Sequence, residues 1–299
     1  MRDVETVAAP ALSRPALALP AGAVDAHSHV FGPFDRFPPH QASVYALPDA
    51  PPDIHKAFRE TLGVAYGVLT QPAPYGDDPS AMLAAIEGSN GALCGVAVAS
   101  PEVTDATLAD WAARGIVGLR FVEMRAPGGG RYPGSIGFDA LRVLAPRMRE
   151  HGLHAQLWAS ADQYAEALPE LLTLGLPLVL DHMASPDRVR GAGDPAFRTI
   201  VDHMLGGDIW VKLTLCRFFG ASADYGDVRP FHDALVEAAP ERLIWGSDWP
   251  YVRLDPAPDA GRMVDLFANW TADPTVREAI LVDNPARLYG LPPREGEAG

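Results

Sequence analysis

Two histidines stand two positions apart at the end of the first apolar run of the sequence. His27 and His29 belong to the segment Asp-Ala-His-Ser-His, which lies within the run at residues 23–30. Side chains two positions apart in a β-strand point to the same side, so both imidazoles would project from one face. Imidazole can bind a divalent ion, donate a hydrogen bond or move a proton near neutral pH. His27 and His29 are therefore candidate catalytic residues.

A third histidine and a carboxylate occupy comparable places further along the chain. His182 lies at the end of the sixth apolar run, and Asp248 ends the eighth, between Gly246 and Pro250. An acid that follows apolar residues is costly to bury unless it has a role, and a carboxylate there can act as a general base on water. If the strands close into a barrel, three imidazoles and one carboxylate meet at one end, so His182 and Asp248 complete the candidate catalytic set.

Eight short apolar runs are the elements that must position these side chains. Most are nearly continuous rather than alternating, which is typical of parallel strands covered on both faces. Each gap except the first has room for one helix and two loops, as a parallel crossover requires. The pattern predicts an α/β fold of the (β/α)8 TIM barrel type, with a doubly wound open sheet as the alternative. The runs are residues 23–30, 65–71, 92–99, 116–122, 154–159, 176–183, 209–214 and 243–248.

The segments around the strands complete the predicted organisation. Apolar residues at helical spacing predict helices over residues 79–90, 105–114 and 138–151, and a closing helix over 275–289 that is interrupted near Pro285. The stretch at 31–52 is rich in proline and aromatic residues and predicts a long ordered loop that covers the end of the first strand. We expect three parts: an irregular N-terminal arm at residues 1–22, a barrel at 23–291 and a C-terminal tail at 292–299.

Composition narrows the classes of partner. The 299-residue chain has a formal net charge of −14, which argues against nucleic-acid binding because phosphate contacts need clustered Lys and Arg. The sequence has no long uninterrupted apolar run of the kind that predicts a transmembrane helix, and its N-terminal segment lacks the pattern of a signal peptide. Cys94 and Cys216 lie in apolar segments, which favours two buried free thiols in a reducing cytoplasm. The oligomeric state, monomer or homo-oligomer, stays open.

Several motifs together resemble the amidohydrolase superfamily, and more narrowly its amidohydrolase-2 group. The segment Val-Phe-Gly-Pro-Phe-Asp-Arg-Phe-Pro at 30–38 is similar to the 2-pyrone-4,6-dicarboxylate lactonase-like branch of that group. The resemblance covers roughly residues 20–291. The other motifs that carry it are His-Ser-His at 27–29, Leu-Thr-Gln-Pro at 69–72, Gly-Leu-Arg-Phe at 118–121, Asp-His-Met at 181–183, Trp-Gly-Ser-Asp-Trp-Pro at 245–250 and Asp-Asn-Pro-Ala-Arg-Leu-Tyr at 283–289.

The resemblance implies a hydrolase that opens the lactone ring of a small carboxylated compound, such as a pyrone dicarboxylate or a sugar-acid lactone. Asp248 would take a proton from water, and the resulting hydroxide would attack the lactone carbonyl. His27, His29 and His182 would polarise that carbonyl and stabilise the oxyanion. Such a reaction would belong to the catabolism of aromatic or sugar acids.

Arginine side chains would hold the carboxylates of this small anionic substrate, because the guanidinium fork matches a carboxylate. Arg120 ends the fourth run and Arg217 lies just beyond the seventh. Arg125, in the loop after the fourth run, is the third candidate for substrate binding.

The resemblance is compatible both with an enzyme that requires no metal and with one that binds a divalent metal. Many members of the superfamily bind zinc or manganese through the histidines of the first strand and the Asp of the eighth, with a further ligand from the fifth. Trp158 stands about where that further ligand often occurs, and indole cannot ligate a metal. We therefore expect no required cofactor. The alternative is one divalent metal, Zn or Mn, held by His27, His29 and Asp248.

Two other functions compete with lactone hydrolysis. One is a metal-dependent, non-oxidative decarboxylase of an aromatic or muconate-type acid, which would use the metal as Lewis acid and template. The other is a binding protein that keeps the barrel without turnover. The four candidate catalytic residues argue against the last.

Overall fold

Eight strands of the computed structural model lie where the apolar runs predict them. The structure describes residues 6–10, 12–218, 221–222 and 224–292. Its ten strands are β1 (Thr6–Ala8), β2 (Val24–Ser28), β3 (Leu47–Asp49), β4 (Tyr66–Thr70), β5 (Leu93–Ala97), β6 (Ile116–Val122), β7 (His154–Trp158), β8 (Leu178–Leu180), β9 (Ile209–Leu213) and β10 (Leu243–Trp245).

The central sheet contains the eight strands other than β1 and β3, in sequence order, and each strand pairs in parallel with the next. Its two outer strands, β2 and β10, come together at a seam where Ser28 forms a parallel bridge with Trp249. The Asp248 N–H donates to the carbonyl of His27 at 2.7 Å, and the His29 N–H donates to that of Trp249 at 2.9 Å. The predicted barrel is confirmed, and the open doubly wound sheet is excluded.

Helices connect successive strands and cover the outside of the barrel. The three helices predicted at 79–90, 105–114 and 138–151 are present, and the closing helix is interrupted near Pro285 as predicted, by a π-helical turn at Ala279–Asp283. The helices are α1 (Pro52–Leu62), α2 (Ser80–Glu87), α3 (Asp105–Ala113), α4 (Phe138–Glu150), α5 (Ala161–Leu171), α6 (Pro195–Leu205), α7 (Arg229–Ala238), α8 (Ala260–Trp270), α9 (Pro274–Glu278) and α10 (Asn284–Tyr289).

The expectation that the first gap has no room for a helix is wrong. After the loop at 31–51, α1 begins with Pro52 in its first turn, where the missing N–H of proline costs nothing. Phe58 and Leu62 form its buried face, and Gly63 ends it in the left-handed conformation. The proline-rich composition of the loop concealed this short helix.

The segment before the barrel, expected to be irregular, contains the strand β1. It pairs in parallel with β3, which lies in the loop after β2. Further along the arm, the Ser13 hydroxyl donates to Asp259 at 2.6 Å, and the backbone N–H groups of Ala16 and Leu17 donate to Asp265. The arm therefore connects the loop after β2 with the start of α8. The predicted tail lies outside the described residues from position 293 on.

Two further expectations concern the interior and the membrane. Cys94 and Cys216 are both buried and unpaired, as predicted. None of the described helices combines the length and the apolar character needed to cross a bilayer.

Candidate active site

His27 and His29 project from the end of β2 toward the same carboxylate. His27 is fully buried and His29 is almost so. Their Nε2 atoms lie 3.4 and 3.3 Å from Oδ1 of Asp248, which arrives from the far side of the seam. The sequence prediction that the first and last strands bring these three residues together is therefore matched by the geometry.

The backbone around Asp248 is held in an uncommon conformation. Asp248 has a φ of +62°, in the left-handed region that non-glycine residues rarely adopt. The preceding Ser247 is fixed by Asp25, which accepts from the backbone N–H at 2.9 Å and from the hydroxyl at 2.5 Å. Burial raises the pKa of Asp25 to about 6. Asp25, in the first strand, thus anchors the turn that aims the carboxylate of Asp248 into the site.

Asp248 carries its charge because the guanidinium of Arg217 lies against it. Burial alone would raise the pKa of its carboxyl group. The guanidinium of Arg217 contacts Oδ2, and this contact, together with the nearby histidines, instead holds the pKa well below its usual range. Asp248 is therefore ionised at neutral pH and able to accept a proton.

His182 enters the site from a left-handed turn that follows β8. Four consecutive residues, 182–185, have positive φ values between 45° and 61°. Strained backbone of this kind persists where the surrounding structure over-determines it, and it is concentrated at functional sites. Burial lowers the pKa of His182 to about 4, so its imidazole is neutral at pH 7. Its ring lies 4.9 Å from that of His27 and 5.6 Å from that of Trp158.

A layer of polar side chains beneath the histidines was not assigned from the sequence. Asp181 Oδ1 lies 3.2 Å from His27 Nδ1, and Gln156 Nε2 donates to Asp181 Oδ2 at 3.2 Å. Lys212, with no exposed surface, donates to Gln156 Oε1 at 2.5 Å. The available signal was a charged or amide residue inside an otherwise apolar strand, as with Lys212 in Ile-Trp-Val-Lys-Leu.

A cavity of about 530 Å³ opens above these residues. His29, His182 and Asp248 line its floor, and the loop after β2 contributes Phe31 and Tyr45 to its wall. The predicted covering role of that loop agrees with this placement.

The three candidate substrate arginines have different surroundings. Arg120 lines the cavity, faces the Trp158 ring at 5.5 Å and lies 3.5 Å from Asp181. Arg217 also lines it, but its Nε is engaged by Asp248. Arg125 is exposed and lines an adjacent cavity of about 950 Å³ instead. The structure thus brings Arg120 and Arg217 to the candidate catalytic residues, whereas Arg125 lies further out, in a cavity that shares His182 and Arg217 with the main one.

Arg253 lines the cavity where the sequence offered no candidate. It follows β10, has a φ of +67° and contacts the hydroxyl of Tyr132. Loop residues like these are hard to assign from sequence, because only the folded turn directs their side chains inward.

Hydrogen bonds restrict the proton positions on the two histidines of β2. His29 Nδ1 lies 2.7 Å from the carbonyl of Thr70, which can only accept, so a neutral His29 has its proton on Nδ1. The Nε2 of His27 has no hydrogen-bond partner within the described ranges. Two Nε2 atoms and one carboxylate oxygen therefore converge within 4.8 Å of one another.

This donor set has the chemistry of a divalent metal site as well as that of a water site. Two imidazole nitrogens and one carboxylate oxygen match a catalytic zinc site with an open fourth position. Any two of the same three atoms can accept the two hydrogen bonds that one water molecule donates. His27, His29 and Asp248 would hold a metal if one binds, as the sequence predicts for that alternative.

Comparison with known proteins agrees with this arrangement. A family model described as amidohydrolase matches residues 24–291. The chain is 36% identical to a 4-sulfomuconolactone hydrolase of Rhizobium radiobacter, over 92% of each chain. It is 33% identical to a 2-pyrone-4,6-dicarboxylate hydrolase of Comamonas testosteroni, over 93% of each. A structure described as a 2-pyrone-4,6-dicarboxylic acid hydrolase of Pseudomonas putida superposes with a TM-score of 0.80 at 30% identity, covering 92% of this chain and 100% of that one. The protein is therefore an enzyme of the amidohydrolase family.

Proposed function

We propose that the protein hydrolyses the lactone ring of a small carboxylated compound. The observation that carries the proposal is the convergence of an ionised carboxylate, Asp248, with His29 and His182 on the floor of a cavity and with the buried His27 beside them. Relatives named as hydrolases of a sulfomuconolactone and of a pyrone dicarboxylate support the same reaction class.

The reaction follows from the positions of the acceptors. A water molecule donating to Asp248 Oδ1 and to a neighbouring Nε2 would direct its oxygen at a lactone carbonyl carbon. As its oxygen bonds to that carbon, Asp248 takes the proton. Collapse of the tetrahedral intermediate breaks the ring C–O bond, and the leaving oxygen takes the proton back. The product is a single open-chain hydroxy acid, or the corresponding enol acid.

The oxyanion requires donors, and these come from a different set of side chains than the sequence suggested. Neutral His29 presents a lone pair at Nε2 rather than an N–H. Among the cavity-lining groups that can donate to a developing negative charge, His182 and Arg217 are the two that the electrostatics couple to Asp248, and we assign the oxyanion to them. In this assignment the water donates one hydrogen to Asp248 and the other to the Nε2 of His27 or His29, and His182 polarises the carbonyl.

The substrate is an anion in this proposal. The guanidinium of Arg120 lies beside the cavity, and Trp158 packs under it, so it can meet a carboxylate in a site with little water. A pyrone dicarboxylate-like compound or a sugar-acid lactone fits these requirements, and ring opening of either would serve catabolism.

A metal-dependent, non-oxidative decarboxylase is the second candidate, because the donor set of His27, His29 and Asp248 also fits a divalent ion. A bound Zn²⁺ or Mn²⁺ would supply Lewis acidity to a substrate oxygen. We favour the first candidate and expect lactone turnover without added metal, because Arg217 already contacts Asp248 and Lys212 lies 3.3 Å from His27 Nδ1. These fixed cations oppose the binding of a further positive charge.

The test combines Asp248→Asn with metal analysis. Lactones bearing one or two carboxylates are assayed with wild-type protein, with this variant and with Asp202→Asn on exposed α6 as the control. We expect kcat to fall by about 10²–10⁴ in Asp248→Asn only, and wild-type activity to survive exhaustive chelation. No lactone turnover, combined with metal-dependent release of CO₂ from an aromatic acid, would replace the first proposal with the second. No turnover of either kind would favour a binding protein.

We also propose a cytoplasmic location, since buried, unpaired Cys94 and Cys216 are compatible with a reducing compartment. Fractionation of cells that express the protein would test it. Sedimentation of the purified protein would decide between a monomer and a homo-oligomer.

A further inference from the structure

Lys212 is a buried ammonium under the active site rather than a residue of its wall. All five residues of β9 are buried, and Lys212 has no exposed surface. Burying a lysine is costly unless the charge is paired and hydrogen-bonded. Its Nζ lies 2.5 Å from Gln156 Oε1, 3.4 Å from Asp181 Oδ1 and 3.3 Å from His27 Nδ1.

The first of these contacts determines which way the Gln156 amide points. Because an ammonium only donates, it requires the oxygen Oε1 at its side. The Nε2 group is then directed to Asp181 Oδ2 at 3.2 Å and to the Thr70 hydroxyl at 3.1 Å. Lys212 therefore reaches Asp181 twice, directly at Oδ1 and through Gln156 at Oδ2.

Asp181 in turn determines where the proton of His27 resides. His27 Nδ1 has two neighbours, Asp181 Oδ1 at 3.2 Å and Lys212 Nζ at 3.3 Å. A protonated Nδ1 can donate to the carboxylate but cannot accept from the ammonium. With Asp181 charged, the proton belongs on Nδ1, and the Nε2 lone pair faces Asp248 Oδ1 at 3.4 Å.

We propose that Lys212 is a positioning residue of this enzyme, which holds Asp181 and Gln156 in the arrangement that keeps neutral His27 protonated on Nδ1. Its Nε2 is then an acceptor for the attacking water. The catalytic effect rests on the proposed hydrolysis, whereas the proton position on His27 can be measured without any substrate.

The experiment uses the small number of lysines in the chain. Lys212 and Lys56 are its two lysines, and Lys56 is exposed on α1. Lys212→Met keeps the length of the side chain and removes the charge, and Lys56→Met is the matched control. The ¹⁵N shifts of the His27 ring report its tautomer, and steady-state kinetics report kcat and KM separately.

We expect Lys212→Met to lower kcat by about 10- to 100-fold, as for other residues that orient a catalytic group. KM should change little, since Lys212 does not line the cavity, and the His27 signals should move away from the Nδ1–H form. Lys56→Met should behave as wild type. A shifted tautomer without lactone turnover in any variant would contradict the hydrolase proposal but retain the positioning role.

A second variant keeps the test decisive if Lys212→Met does not fold. Gln156→Leu breaks the connection between Lys212 and Asp181 Oδ2 without changing the net charge. We expect the same direction of change in kcat and in the His27 signals. Folded Lys212→Met or Gln156→Leu protein with wild-type kcat and an unchanged His27 tautomer would overturn the proposal.

Discussion

Arg217 contacts the carboxylate of Asp248 through Nε, while its Nη1 group donates to the carbonyl of Val252 at 2.7 Å. The backbone contact fixes the guanidinium beside Oδ2, so Oδ1 remains directed at the histidines. One arginine thus sets both the charge and the orientation of the proposed base.

Replacement of Arg217 by Met should raise the pKa of Asp248, because Arg217 is the largest of the charges that lower it. Asp248 works as a base only when ionised, so activity persists above its pKa and is lost as the pH falls through it. We expect the acid limb of the kcat/KM profile to move upward by more than about one pH unit. Arg142→Met, on exposed α4, is the control. An acid limb at the wild-type position would contradict this role.

Replacement of Arg120 by Met should weaken substrate binding more than it slows chemistry. Loss of one charge-assisted contact to a carboxylate corresponds to about 1.5–3 kcal/mol, or roughly 10- to 100-fold in KM. Arg125→Met, outside the main cavity, should change KM by less than about twofold. Similar effects of the two substitutions would mean that the substrate extends into the adjacent cavity.

Buried neutral histidines should make the protein sensitive to mild acid. Burial lowers the pKa of His154 to about 3, and that of His55 to about 3 as well. The unfolded chain binds these protons near pH 6.5, whereas the folded one does not, so stability is lost as the pH falls below 6.5. Each such histidine lowers the free energy of unfolding by about 1.4 kcal/mol for every pH unit between pH 6 and 4.5.

His154→Gln should reduce that slope by one proton, since His154 contacts the carbonyl of Val117 and the ring of Tyr289, away from the catalytic residues. Urea unfolding at several pH values measures the free energy of unfolding. His55→Gln should give a similar reduction. An unaltered slope in both variants would show that these histidines are protonated in the folded protein.

The N-terminal arm should be released by one added methyl group. A Cβ on Gly261 in α8 would overlap the backbone carbonyl of Ser13. Alanine normally stabilises a helix by roughly 0.5–1 kcal/mol relative to glycine. Helix propensity alone would therefore predict no loss, whereas we expect the arm to lose its protection from hydrogen exchange. Hydrogen exchange of residues 12–19 in Gly261→Ala measures it. Gly128→Ala, which meets no neighbouring atom, is the control. Unchanged protection of the arm would show that α8 and the arm adjust without separating.

The sequence predicted the barrel well because eight buried strands leave eight continuous apolar runs. It also located His27, His29, His182 and Asp248, since polar groups at strand ends stand out against those runs. The sequence did not reveal that Lys212 and Gln156 lie together beneath the histidines, because that depends on which faces of two separate strands point into the same part of the barrel. Arg125 lines a neighbouring cavity that shares His182 and Arg217 with the main one, so its role in substrate binding stays a prediction.

The seam between β2 and β10 has a consequence for how the chain matures. The base arrives on the last strand and two of the histidines on the first, joined by the hydrogen bonds of Asp248 with His27 and of Trp249 with His29. A growing polypeptide therefore contains both histidines for more than 200 residues before Asp248 is made. We expect activity to appear only once this seam has closed, so the return of activity during refolding would time the meeting of the first and last strands.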